Sequence, residues 1–345
     1  MLRRLLLVLV VLLACEHAVP SAYAHGGGYA PLNRSGPSLS VPRASLRAAI
    51  TCHGDPHAAP EPVLLNPATS VTPAENYSWN YEKAFTRQGR YWCAVTMPHH
   101  TFGDIQTAAE YLVFAIRRMH ATTGRRIAIL GHSQGGMSMR WALRFWPATR
   151  PMVDDVIGMA GDNHGTTMLV GCVPHVTTCT PAVWQQLRGS AFMRALNSRT
   201  ETFAGISYTE IYTHTDEVVT PSTGDDPSSA LHTGRGRISN VATQSICPLE
   251  VYEHLMTGTV SPTTYALVMD ALDHPGPAVP ARIARTVCGR LYMPGIDPLD
   301  VTGFLPLMSA LPSLASTELP LVTLSGAPML SAEPPLRCYV FKKGC

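Results

Sequence analysis

The sequence predicts an α/β fold: a mostly parallel sheet covered by helices on both faces. Two observations point to it. Short apolar runs alternate with segments of helical period along most of the chain. One such run leads into a helix through GHSQGG, residues 131–136, a turn so rich in glycine that strand and helix are joined with almost no loop.

In order along the chain, Arg3-Arg4 followed by the apolar run Leu5 to Ala14 and by Ala22-Tyr23-Ala24 reads as a secretion signal, residues 1–24, with the mature chain expected to begin at His25. That run is too short to span a bilayer, and the later stretch LPLMSALPSLA is broken by prolines, so no transmembrane segment is expected. Residues 25–44, HGGGYAPLNRSGPSLSVPRA, offer little to bury and read as a flexible N-terminal arm. From about Ser45 the pattern is globular. PVLL at 62–65 and YWCAVTM at 91–97 read as buried strands. Asp104 can cap a helix whose apolar positions Ile105, Ala108, Leu112, Ile116 and Met119 share one face, ended by Gly124. RIAIL at 126–130 is the next strand, and MSMRWALRFW at 137–146 the next helix, stopped by Pro147. VDDVIGMA at 153–160, SYTEIYT at 207–213 and CPLEVYEH at 247–254 read as further strands.

Lys plus Arg number 26 against 24 Asp plus Glu, so no basic surface for nucleic acid is implied. Nine cysteines become eight once Cys15 leaves with the leader, an even number suited to an oxidising compartment. Spacing favours two local loops, Cys172 to Cys179 and Cys338 to Cys345, and the absence of C-x-x-C argues against a zinc knuckle or a thioredoxin-like motif. His99-His100 with Asp104 lacks a third ligand at fixed spacing, so no metal is expected, and no phosphate loop or dinucleotide fingerprint calls for a cofactor. Asn33-Arg-Ser and Asn76-Tyr-Ser match the glycosylation pattern, relevant only in a eukaryotic host.

GHSQGG lies where a nucleophile elbow would. Only small residues fit two places before and after Ser133, and Gly131 and Gly135 occupy those places. A serine hydroxyl needs a base, and in this arrangement an acid and then a histidine follow on later strands. The acid candidates are Asp154, Asp155, Asp162, Asp216, Asp225, Asp226 and Asp270; Asp216, just beyond SYTEIYT, is best placed. Of His232, His254 and His274, position favours His254, at the end of CPLEVYEH.

With TCHG at 51, VLLNPAT at 63, SQGG at 133, GDNHGT at 161, TPAVWQQLRGSA at 180 and YTHTDEVVTP at 212 in matching order, the chain resembles the Candida antarctica lipase B-like family of secreted α/β-hydrolases over about Ser45 to Cys288. The resemblance implies a triad of Ser133, Asp216 and His254. It implies an oxyanion hole from Thr69 (backbone N–H and hydroxyl) and the backbone N–H of Gln134. It places Asp162 and Gln186 on the acyl side of the pocket and Val218 in its wall. It also implies the disulfides Cys52–Cys93 and Cys247–Cys288. His132 stands where the family's best-known member has Trp, so a wider alcohol side bounded by His132 is expected. The segment holding Cys172 and Cys179 corresponds to a short lid, and the proline-broken stretch from Val301 to Leu330 replaces a long apolar helix at the pocket mouth.

The expectation is therefore a single hydrolase domain over 45–345, its 290–345 region packing over the pocket. It would be an exported, monomeric, cofactor-free lipase or carboxylesterase acting on small-molecule or lipid esters, including at a lipid–water interface. A polyester or cutin-type depolymerase would use the same residues. A hydrolase-fold binding protein would lack a triad member, and none is missing.

Overall fold

This computed structural model describes residues 28–169, 171–299 and 325–344. The expected leader, most of the proline-broken stretch 301–330 and Cys345 lie outside them. The elements run α1 (Arg43–Ala48), β1 (Ile50–His53), β2 (Val63–Asn66), α2 (Pro73–Tyr77), α3 (Tyr81–Arg87), β3 (Trp92–Val95), α4 (Ile105–Thr123), β4 (Ile127–His132) and α5 (Gln134–Phe145), then β5 (Val153–Met159), α6 (Pro181–Gln186), α7 (Ala191–Leu196), β6 (Ser207–Tyr212), β7 (Arg237–Ala242), α8 (His254–Thr259) and α9 (Pro262–Asp273).

Seven strands form one sheet in the order β1-β3-β2-β4-β5-β6-β7. All neighbours are parallel except β1, which runs antiparallel to β3. Every residue of β2 and β4 is buried, as central parallel strands require. Their side chains divide between two cores. Leu64, Ile127 and Ile129 face α4 and α5, with Leu112, Ile116, Met137 and Trp141. Val63, Leu65, Ala128 and Leu130 face α3 and α9, with Phe85, Leu267 and Val268. α4 begins and ends as the sequence dictates: the Asp104 carboxylate accepts the Gln106 N–H, and Gly124 closes the last turn at φ 65°. Among the described residues no helix is long and apolar enough to cross a membrane.

Three disulfides join pairs of described residues. Cys52 and Cys93 sit opposite one another across β1 and β3 and are bonded, Cys172 is bonded to Cys179, and Cys247 to Cys288. Cys338 is also disulfide-bonded, while its expected partner Cys345 lies outside the described residues.

Two expectations are corrected. CPLEVYEH is not a strand: Pro248 has no N–H to give a ladder, Leu249 and Val251 are 93% and 76% exposed, and His254 opens α8. Among the described residues the last strand is β7, from GRISNVA, an edge strand whose first residues stay at the surface. Nor are residues 28–42 a loose arm. The Ala30 N–H donates to Val340 O at 2.8 Å, Trp146 Nε1 to Pro37 O at 2.9 Å and the Ser40 hydroxyl to Glu110 Oε1 at 2.7 Å. Leu32 and Leu39 pack on the core beneath. The C-terminal segment meets this arm after crossing α6, α4 and α5. Along the way Leu330 exchanges two backbone hydrogen bonds with Cys179, Trp141 Nε1 donates to Tyr339 Oη at 2.9 Å, and Arg337 pairs with Glu110 at 2.8 Å.

Candidate active site

Between β4 and α5 the chain turns within one residue. Ser133 has φ 54° and ψ −128°, a conformation L-residues rarely hold, worth about 1–3 kcal/mol of strain. Its N–H donates to Met159 O at the end of β5, which anchors the turn to the sheet. A Cβ on Gly131 would lie 2.2 Å from Gly135 O, and one on Gly135 would lie 2.2 Å from Asn66 O. The two glycines are therefore steric requirements. Asn66 seals the contact, its amide donating to Gly135 O at 2.7 Å. Ser133 thus stands at the carboxyl edge of the sheet with the α5 N-terminus behind it, where developing negative charge is favoured.

Asp216 follows β6, and His254 opens α8. His254 Nδ1 donates to Asp216 Oδ2 at 2.9 Å, leaving Nε2 as the free base, and both side chains are buried. The other oxygen, Asp216 Oδ1, accepts the N–H groups of Val218 and Val219 at 2.9 and 2.7 Å, so the carboxylate cannot swing. Glu217 accepts the His254 N–H at 3.2 Å, and Glu253 caps α8 by accepting the N–H groups of Leu255 and Met256. Burial pulls the His254 pKa down, but Asp216, helped by Glu217 and Glu253, outweighs it and leaves the imidazole above its ordinary value.

Thr69 and Gln134 meet on the other side of the turn. Gln134 Nε2 donates to Thr69 Oγ1 at 3.0 Å, and that hydroxyl donates to Gln186 Oε1 at 3.2 Å. Among the described residues neither the Thr69 nor the Gln134 backbone N–H has a hydrogen-bond acceptor. They are two spare donors in a buried place, a cost normally avoided. Asp162 follows β5, almost fully buried with both carboxylate oxygens unpartnered; burial, with Asp216 adding to it, pushes its pKa up to about 7. Gln186, at the end of α6, is buried, and Val218 is half-buried beside Asp216. The VWQQ stretch explains itself here: Trp184 Nε1 donates to Leu330 O, Gln185 bonds both Ile105 N–H and Asp104, and Gln186 holds Thr69.

His132 does not bound an open pocket as expected. Its ring has no exposed surface, because it is hydrogen-bonded between Asn76 and His254 O and lies against Gly258. Asn76, which the sequence reading did not connect with the site, is fully buried against His132 and so is no glycan acceptor. The remaining candidates are engaged elsewhere. Asp154 and Asp155 begin β5 at the opposite edge of the sheet, Asp270 pairs with Arg282 and His274, and Asp226 pairs with His232 beside exposed Asp225. His99 Nδ1 bonds Ser325 O, away from Asp104, which caps α4. The segment expected as a lid is closed by Cys172–Cys179 and pinned to Leu330 and Ser331 through the backbone of Cys179 and His175.

Residues 62–257 match the family model of lipases of class 2. The chain belongs to that family. It is 33% identical over 247 residues to lipase B of Pseudozyma antarctica, covering 71% of this chain and 70% of that one. Among solved structures, lipase B of Aspergillus fumigatus superposes with a TM-score of 0.78 at 31% identity, over 89% of this chain and 74% of the other. The Bacillus licheniformis lipase BlEst2 in its propeptide form shares the fold alone, at a TM-score of 0.51 and 15% identity, over 67% and 54% of the two chains. Family and sheet together make this an α/β-hydrolase, and its reaction class is carboxylic ester hydrolysis.

Proposed function

We propose that the protein is an exported, monomeric serine lipase or carboxylesterase that cleaves apolar esters through Ser133, Asp216 and His254. The observation that carries the reading is the buried His254–Asp216 pair at 2.9 Å, set on the same sheet edge as a serine held at φ 54°. His254 Nε2 removes the Ser133 proton as Oγ attacks the ester carbonyl, and Asp216 steadies the imidazolium that forms. The spare N–H groups of Thr69 and Gln134, with the Thr69 hydroxyl, receive the charge of the tetrahedral oxygen. His254 returns the proton to the leaving alcohol, and water then repeats the sequence on the acyl-enzyme. Asp162, Gln186 and Val218 line the acyl side. No step needs a cofactor. Export rests on the Arg3-Arg4 leader pattern and on the disulfides. Leu249 and Val251, exposed a few residues before His254 in the chain, suit substrates presented at a lipid–water interface.

The test is covalent. A p-nitrophenyl alkylphosphonate should leave one adduct, on Ser133, and Ser133→Ala should lose about 10⁴-fold or more in kcat on p-nitrophenyl esters. An adduct on another residue, or activity surviving the substitution, overturns the reading.

A further inference from the structure

We infer that Asn76 and His132 form a positioning relay, which locks His132 in one neutral tautomer and ties the loop carrying Thr69 to the backbone of His254. The inference rests on the triad reading above but adds two residues that touch no substrate.

Donor and acceptor logic fixes every proton in the relay. The Ala68 N–H donates to Asn76 Oδ1 at 2.9 Å, so the Asn76 oxygen is committed and its Nδ2 must face His132. Nδ2 lies 3.3 Å from His132 Nδ1, and an amide nitrogen only donates, so Nδ1 carries a lone pair. At the far side of the ring, Nε2 lies 3.2 Å from His254 O, and a carbonyl oxygen only accepts, so Nε2 carries the proton. Both ends demand the same Nε2–H imidazole.

Shape reinforces the lock. Gly258 follows His254 by one turn of α8, and a Cβ there would meet the His132 ring at 2.2 Å. The ring therefore fills a slot under the first turn of α8, gripping the residue-254 carbonyl while its face lies 5.3 Å from the His254 ring. α2 holds the other end, fixed by the Thr72–Glu75 capping box and by Asn80 Nδ2 donating to Asn76 O at 2.9 Å. One hydrogen-bonded line thus runs from the residue before Thr69 to the main chain of the base.

Neutrality matters as much as position. During the reaction His254 becomes a cation. The charged groups acting on it are Asp216 and Glu217 from the turn after β6 and Glu253 before α8, with Asp162 from the turn after β5. His132 is the basic group among these neighbours. Burial, then the proximity of His254, hold the His132 pKa down at about 3, so no second positive charge stands beside the imidazolium.

Three variants test the relay, each normalised by phosphonate titration of Ser133. His132→Gln supplies one amide donor for His254 O and one acceptor for Asn76, and should keep kcat within about threefold of wild type. His132→Leu supplies neither, and kcat should fall about 10–100-fold with KM unchanged, the scale of a base misplaced by a fraction of an ångström. Asn76→Asp puts a carboxylate against Nδ1 while His254 O still demands a proton on Nε2, so His132 becomes an imidazolium. The imidazolium stands with its ring 5.3 Å from that of His254 while the new carboxylate lies at its Nδ1 side, so the positive charge dominates, disfavours protonation of His254, and moves the acid limb of kcat/KM to lower pH; a carboxylate beside a ring that only filled space would leave the limb in place or raise it. Equal kcat for the Gln and Leu variants, or an unmoved acid limb in Asn76→Asp, overturns the proposal. Should His132→Leu not fold, the acid limb of Asn76→Asp decides alone. Failure of wild-type Ser133 to take the phosphonate would instead strike the triad reading.

Discussion

Thr69→Val separates catalysis from structure at a single hydroxyl. Valine keeps the shape and the backbone N–H but deletes Oγ1. In the resting enzyme that oxygen accepts from Gln134 and donates to Gln186. Gln134 loses little, because its amide also donates to Thr101 O at 3.1 Å. Gln186 Oε1 is left buried without its donor, a cost of about 1–3 kcal/mol. For a chain of 345 residues the unfolding entropy is about 0.7 kcal/mol per degree, so the melting temperature should fall by only about 1–4 °C. The kinetic loss is larger. An oxyanion donor engages only when charge reaches the tetrahedral oxygen, and its removal costs about 3–4 kcal/mol, or about 10²–10³ in kcat. Because the ground state never used the hydroxyl, kcat and kcat/KM should fall together with KM unchanged. Steady-state kinetics on p-nitrophenyl butyrate, normalised by phosphonate titration, and a calorimetric scan suffice. Normal kcat with a lowered melting temperature removes Thr69 from the mechanism.

The raised His254 pKa places the acid limb of kcat/KM above the ordinary imidazole value of about 6.5, because activity needs the neutral ring and is lost as pH falls through that pKa. Asp216→Asn should shift the limb downward and cost about 10⁴-fold in kcat; a pH–rate profile of both proteins checks it. Gly135→Ala would drive a Cβ into the backbone oxygens of Asn66 and Pro67, at 2.2 and 2.7 Å, and should cost about 3 kcal/mol or more, read by urea titration. A non-reducing peptide map should return Cys52–Cys93, Cys172–Cys179 and Cys247–Cys288. Replacing the first pair by alanines opens a loop of 41 residues and should cost about 4 kcal/mol in the chain-entropy model.

What the sequence disclosed was mostly local. The elbow was legible because Gly131, Ser133 and Gly135 carry their own steric reason, and α4 because cap, period and stop all lie within twenty-one residues of one another. β7 escaped because an edge strand wets one side, so RISNVA shows no apolar run. CPLEVYEH misled for the opposite reason: Leu249 and Val251 alternate with polar residues as a half-buried strand would, yet both face water. Asp216 and His254 were singled out by order along the chain, although His254 reaches its place beside Asp216 from a helix start. Asn76 could not be found that way. Its importance comes from Ala68 on one side and His132, 56 residues on, at the other. Only the folded arrangement brings those partners together.

The meeting of residues 28–34 with residues 341–342 bears on the order in which this molecule is built. Arg34 bonds the carbonyl of Phe341 across 307 residues, Tyr29 bridges Phe341, and the Lys342 N–H donates to Gly28 O. Bringing such remote segments together carries a large loop-closure entropy unless intervening structure has already shortened the path. The sheet has to be assembled first, since it is the sheet and its helices that carry the two segments to the same side. Tyr29 therefore gains its Phe341 partner only once the segment carrying Tyr339 and Phe341 has docked. The clasp is a seal applied to an assembled body, and until it docks the indole of Trp141 lacks its hydrogen bond to Tyr339.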